Sequence, residues 1–284
     1  MPVINTNVNA LFSQNALKVN SRNLSSAMEQ LSTGQRINSA KDDAAGLAIT
    51  NTMTSQIRGL SMAVRNANDG ISMLQTAEGA MIEQTNMLQR MRELAIQAGS
   101  GTYNADQKDA LGKEFEALKT QINNIAEQTT WNGDTVLKGD KGSAPAGGGS
   151  PDGTYSFAVG ASATETIDVK INSVLSSDLG IDNLDISSAN TGSMGDVVST
   201  VDDALKTINM ARAGIGAGIN QLTYAADNLN NVIQNTTASR SQIMDTDYAT
   251  ATTKLASAQI IAQAATAMLA QANQSQQGVM ALLK

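Results

Sequence analysis

The chain has 284 residues and a formal net charge of −7, with only 3% aromatic and 16% charged residues. It has no cysteine and no histidine, which excludes disulfides, iron–sulfur clusters, thiolate zinc sites, Ser–His–Asp triads and HExxH zinc chemistry. The acidic balance argues against a nucleic-acid partner, and the scarcity of bulky residues favours narrow Ala/Leu/Ile stripes between long elements over one thick core.

The opening stretch, MPVINTNVNALFSQNAL, has no Lys or Arg before Lys18 and no continuous apolar block, so it does not read as a Sec signal peptide. No stretch of the chain approaches the roughly 20 apolar residues of a membrane span. Ala10, Leu17, Leu24 and Leu31 recur at seven-residue intervals, with Met28 beside them, and Gly34 interrupts the pattern. A second helix is expected from Ala44 to Ala98. Ile57, Val64 and Ile71 hold one heptad position; Leu60, Ala67, Leu74, Met81, Leu88 and Ala95 hold the other. At 1.5 Å per residue such a helix spans roughly 80 Å.

Gly99-Ser100-Gly101 breaks the rod, and Asp106 is positioned to cap a third helix carrying Leu111, Phe115, Leu118, Ile122 and Ile125. This helix reads as the antiparallel partner of the long one. Asn132-Gly133, set between β-formers in TTWNGDTVL, predicts a tight hairpin. From Gly139 to Gly195 the character changes: Pro145, Gly147-Gly148-Gly149 and Pro151 mark a flexible loop, and Thr154–Val159 and Thr164–Ile171 alternate as half-buried strands do. Heptads then resume. Val201, Ile208, Ile215, Leu222 and Leu229 form one row; Val198, Leu205, Ile219, Ala226 and Ile233 form the other, with Arg212 as the polar break.

Near the carboxyl end Leu255, Ala262, Leu269 and Leu283 align, as do Ala258, Ala265, Ala272 and Val279. Between Lys254 and Lys284 there is no charged residue, and the first seventeen residues have none either. A solvated helix face would carry Lys and Glu. Two such helices cannot cover each other, so their remaining apolar strip calls for other copies of the chain. Alone they gain too little burial to offset backbone entropy, which points to ordering on assembly.

The expected fold is therefore mainly α: long antiparallel heptad-repeat helices in an elongated hairpin, with a β-hairpin and a small β-containing insert mid-chain. The expected divisions are a helical arm over 1–43 and a rod over 44–139. A variable surface insert covers 140–194, the returning rod helix 195–243 and a second arm 244–284. The insert is read as a separate body at the far end of the rod.

Several long stretches resemble the bacterial flagellins, in the right order and over nearly the whole chain outside the insert. They are MPVINTNVNALFSQNALKVN, LSTGQRINSAKDDAAGLAI, RNANDGISMLQTAEGA, LQRMRELAIQAGSGT with TTWNG, and ASRSQIMDTDYATATTKLASAQIIAQAATAMLAQANQSQQGVMALL. The resemblance implies a subunit that polymerises into the extracellular flagellar filament used for swimming, exported by the flagellar type III apparatus without a cleaved signal peptide. It implies no cofactor and no catalysis. The implied partners are other copies of the chain, an export chaperone on the carboxyl-terminal arm, and filament cap and junction proteins. Residues Leu17, Leu24, Leu31, Leu255, Ala258, Ala262, Ala265, Leu269, Ala272, Val279 and Leu283 are the expected polymerisation core. The stretch Gln89–Leu94 resembles the segment recognised by the vertebrate Toll-like flagellin receptor, giving Gln89, Arg90, Leu94 and Glu114 as candidates; subunit packing is the stronger reading of each.

Other constellations are set aside. Adjacent Asp42 and Asp43 point about 100° apart on a helix, so they read as helix-start charges and not a paired catalytic site. Gly214, Gly216 and Gly218 lie within a heptad run with no preceding strand, which fits close packing and not a phosphate loop. The insert leaves two rival readings open, a surface that binds a host molecule and an embedded peptidase, of which the zinc version is excluded by the absence of histidine. A hook–filament junction protein is a close structural rival.

Overall fold

A computed structural model describes residues 6–139, 153–162, 164–187 and 193–281, with side chains through residue 274. The expected loop around Pro145, Gly147-Gly148-Gly149 and Pro151 lies outside the described residues. Five helices, α1 (Val8–Thr33), α2 (Ala44–Ala98), α3 (Ala105–Gln128), α4 (Met194–Met244) and α5 (Tyr248–Ala281), carry most of the described chain. Two antiparallel hairpins complete it, β1 (Thr130–Trp131) with β2 (Asp134–Thr135) and β3 (Thr154–Ala158) with β4 (Thr166–Lys170).

The chain divides into two compact units, Met1–Gln56 with Gln234–Lys284, and Ile57–Ile233. The division differs from the one read from composition, because the beginning of α2 and the end of α4 group with the terminal arms.

In the Ile57–Ile233 unit the heptad rows meet as they were read. Leu60, Ala67, Leu74, Met81, Leu88 and Ala95 of α2 are buried, as are Val201, Ile208, Ile215, Leu222 and Leu229 of α4. The helices run antiparallel. Arg92 Nε meets Asp202 Oδ1 at 2.6 Å near one end, and Leu60 packs with Leu229 at the other. Arg212, the polar break, faces Glu78 at 3.8 Å.

Helix α3 starts two residues earlier than expected, because Asn104 and not Asp106 is the cap. Asn104 Oδ1 accepts from Gln107 N at 2.8 Å while Gln107 Oε1 accepts from Asn104 N at 3.0 Å, a reciprocal capping box. Asp106 adds a favourable charge to the first turn. Phe115 and Ile122 are fully buried against α2, where the buried Gln84 Nε2 donates to the Ile122 carbonyl at 3.1 Å. The β1–β2 turn places Asn132 at φ 52° and Gly133 at φ 93°, the positive pair a two-residue hairpin turn requires.

The insert is not a separate body at the end of a rod. Val169, Ile171, Val174, Leu179, Ile181 and Ile186 belong to the same buried cluster as Leu74, Leu88, Phe115 and Ile208. So few apolar residues cannot enclose a core of their own, and the segment spends them against the helices. Small residues on the helices admit it: Phe157 lies on Gly70, Ser187 on Gly112 and Val169 on Gly218. A methyl group at Gly218 would stand 2.8 Å from Val169 Cγ1, whereas one at Gly214 would meet nothing within 4 Å. Gly218→Ala is therefore expected to destabilise the protein by about 1–3 kcal/mol. Gly214→Ala should raise stability by up to about 1 kcal/mol through helix propensity. Thermal or urea unfolding of the two variants reads the opposite signs directly.

Candidate functional site

The terminal unit is built on two capped helices. Asn7 Oδ1 accepts from Ala10 N at 3.0 Å to begin α1, and Gly34, at φ 71°, ends it in the left-handed region that suits glycine. Asp247 begins α5, accepting from Thr250 Oγ1 at 2.7 Å and from Ala249 N at 2.9 Å. The Thr250 hydroxyl, then these amides, hold the Asp247 carboxyl below its ordinary range. Of the two residues read as helix-start charges, Asp43 caps α2 and Asp42 serves the turn before it. Asp43 Oδ1 accepts from Gly46 N at 2.9 Å, and Asp42, held low chiefly by the Ser39 hydroxyl, closes the preceding turn.

The two connecting segments are tied together. Arg36 Nη2 donates to the Ile243 carbonyl at 2.7 Å, and Thr246 N donates to the Gly34 carbonyl at 2.9 Å. Beyond this tie α1 and α5 pack antiparallel. Asn20, 5% exposed, donates from Nδ2 to the Ala258 carbonyl at 2.7 Å, and Asn7 Nδ2 donates to the Ala272 carbonyl at 3.2 Å. These two amides fix the register of helices whose seam is otherwise apolar and small.

The expected polymerisation residues fall on that seam. Ala258 is buried; Leu17, Leu24, Leu31, Leu255, Ala262, Ala265, Leu269 and Ala272 are half-buried. The Val279 side chain and Leu283 lie outside the described residues. The seam thus pairs the two helices of one chain, and a different set of bulky residues faces outward. Phe12 is 77% exposed, Ile260 67%, Met268 63% and Val8 60%, with Leu11 and Ile261 also exposed. Phe12, Val19 and Ile261 line an open groove of about 390 Å³. Heptad counting missed these residues because they stand beside the repeating positions. The available signal was bulky apolar side chains off the seam in or beside the charge-free stretches 1–17 and 255–283.

Of the four residues matched to the receptor-binding segment, Gln89 and Arg90 are exposed on α2 and Glu114 is exposed on α3. Arg90 reaches Glu114 at 2.9 Å and Glu93 at 3.0 Å, contacts that raise its pKa, the Glu114 hydrogen bond most. At this exposure solvent screens such bridges and they contribute little to stability. Leu94 is fully buried in the core beneath them and presents no surface.

Among the described residues no group of three or more acidic side chains is placed to hold a metal, and no helix is long and apolar enough to cross a membrane. Long heptad helices with a terminal helix pair that is sparsely charged and outwardly apolar define a self-assembling structural subunit. Comparison with known proteins gives the family. Residues 4–141 match the bacterial flagellin N-terminal helical region, and residues 198–283 match the bacterial flagellin C-terminal helical region. Flagellin B of Vibrio cholerae is 35% identical over 99% of both chains, and flagellin A of Vibrio anguillarum is 34% identical over 99% of both. A crystal structure of Bacillus cereus flagellin aligns with a TM-score of 0.50 at 30% identity, covering 58% of this chain and 88% of that one. The fold alone is shared with a hook-associated protein from Vibrio parahaemolyticus, at TM-score 0.58 and 14% identity, covering 72% of this chain and 100% of that one. The chain belongs to the bacterial flagellin family. It is a structural subunit of the flagellar filament and not an enzyme.

Proposed function

We propose that subunits join through the outward faces of α1 and α5, and that this helix pair gains most of its order when neighbouring copies cover it. The observation that carries the reading is the solvent exposure of Phe12, Ile260 and Met268 in stretches of sequence, 1–17 and 255–283, that contain no charged residue. The seam residues Leu17, Leu24, Leu31, Leu255, Ala258, Ala262, Ala265, Leu269 and Ala272 then act as the inner spine, and Val279 and Leu283 extend it. On the same reading α5 is the contact for a cytoplasmic export chaperone, and filament cap and junction proteins meet the same apolar face. Family membership supports export through the flagellar type III apparatus without cleavage of a leader. Gln89, Arg90 and Glu114 are the candidates for direct contact with the Toll-like flagellin receptor, with Leu94 supporting them from below.

Seeded regrowth tests the assembly reading. Filaments dissociated by heat or acid and returned to neutral pH should elongate on seeds. A chain lacking Gln271–Lys284 should fail to do so while its central helices stay folded. Elongation of the truncated chain at the normal rate would refute the proposal.

A further inference from the structure

Thirteen methionines and no cysteine make the thioether the only sulfur chemistry this chain offers. Met73, Met81 and Met91 are buried in the core of the Ile57–Ile233 unit, out of reach of oxidants in solution. Among the residues whose side chains are described, Met28, Met62, Met210 and Met268 are exposed.

The surroundings of these four differ. Met28 lies in the charged part of α1, next to Glu29. Met62 stands between the exposed Arg58 and Arg65 on one face of α2, and Met210 stands one turn from the exposed Lys206 on α4. Met268 has no such company. It follows Ile260 by eight residues and Ile261 by seven, so the three exposed side chains share one face of α5. The stretch 255–283 that carries them has no charged residue.

Oxidation of a methionine replaces an adaptable apolar side chain with a polar, chiral sulfoxide. In the single chain the Met268 side chain is largely in solvent, so the fold loses little by the change. Covered by another copy, the same group would lose its apolar burial and take a polar oxygen into the contact.

We propose that Met268 is a redox-sensitive modification site, at which oxidation by a hydroperoxide withdraws unassembled subunits from polymerisation. The inference rests on the reading that neighbouring copies cover the outward face of α5. A lone pair on the Met268 sulfur attacks one oxygen of the peroxide; the S–O bond forms as the O–O bond breaks. The proton on the transferred oxygen passes to the leaving oxygen, which departs as water when the oxidant is hydrogen peroxide. Sulfur loses two electrons and the peroxide gains them. Docking then covers the same sulfur, so the sensitivity belongs to the subunit before assembly.

The full-chain monomer is treated with hydrogen peroxide at a dose low enough that most modified chains take up a single oxygen. After removal of the oxidant with catalase, the pool is used to elongate seeds. Peptide mass spectrometry then compares Met268 sulfoxide in the filaments and in the monomer left behind. The sulfoxide should be depleted from the filaments by at least about tenfold, the factor that follows from losing the apolar burial of one side chain. Met268→Leu, apolar but without sulfur, should still elongate seeds after a treatment that stops the parent chain. Assembled filaments should oxidise at Met268 at least about fivefold more slowly than monomers, since oxidation follows exposure. Equal sulfoxide in the two fractions, a Met268→Leu chain as sensitive as the parent, or equal oxidation rates in monomer and filament would each overturn the proposal. Met268→Asp separates it from the assembly reading on which it rests. Normal elongation by Met268→Asp would show that this face is not covered, and both would fail. Loss of elongation in Met268→Asp while the sulfoxide enters filaments freely would overturn the redox proposal alone.

Discussion

Monomers carrying Phe12→Asp together with Ile261→Asp will fail to elongate filament seeds while keeping the helix content and thermal unfolding of the parent chain. Both side chains are exposed in the single chain and line the same groove, so their replacement removes little that the monomer uses. In a covered interface each contributes about 1.5–3 kcal/mol of apolar burial. Each introduced carboxylate also meets a desolvation cost of several kcal/mol when covered. Since 1.4 kcal/mol is a factor of ten, the concentration needed for growth rises by about a thousandfold or more. Light scattering on seeded solutions measures it. Replacing Gln89, exposed on α2, with Asp provides a comparison in which any loss of elongation is small.

A second large effect is expected in the interior. Phe115 of α3 is fully buried in a cluster with Leu88, Met91 and Leu94 of α2, among side chains that close packing prevents from collapsing into a gap. Phe115→Ala should therefore cost about 3–5 kcal/mol of stability. For a unit of this size the thermal midpoint should fall by about 10 °C or more. At temperatures well below that midpoint the variant should still elongate seeds, because Phe115 presents nothing to solvent. A variant that melts with the parent chain would show that α3 contributes little to the core; one that folds but does not polymerise would place α3 in the assembly surface.

The long helices were legible because their physics is local. Strict seven-residue recurrence from Leu60 to Ala95 and from Val201 to Leu229 marks one buried stripe per helix, and those stripes are the ones buried together. The hairpin at Asn132-Gly133 was legible for a similar reason, since few residues accept two consecutive positive φ values. What the pattern did not convey was which neighbour covers a given face. The insert read as a separate body because its strands alternate like a half-buried sheet. Its apolar residues in fact reach Gly70, Gly112 and Gly218 on three different helices, contacts of long sequence separation that no local period encodes. The same holds for the terminal arms. The heptad positions Leu17 and Leu24 identify the seam within one chain, whereas Phe12 and Ile261 become conspicuous only when the folded pair leaves them uncovered. Asn20 gave no signal at all in sequence; its role in register depends on the Ala258 carbonyl more than two hundred positions away.

Amide hydrogen exchange compared between monomer and filament tests the central claim most directly. The account predicts that amides of α1 and α5 exchange rapidly in the monomer and become strongly protected in the filament, with smaller changes through residues 57–233. Equal protection of α1 and α5 in the two states, or protection gained only in residues 57–233, would contradict it.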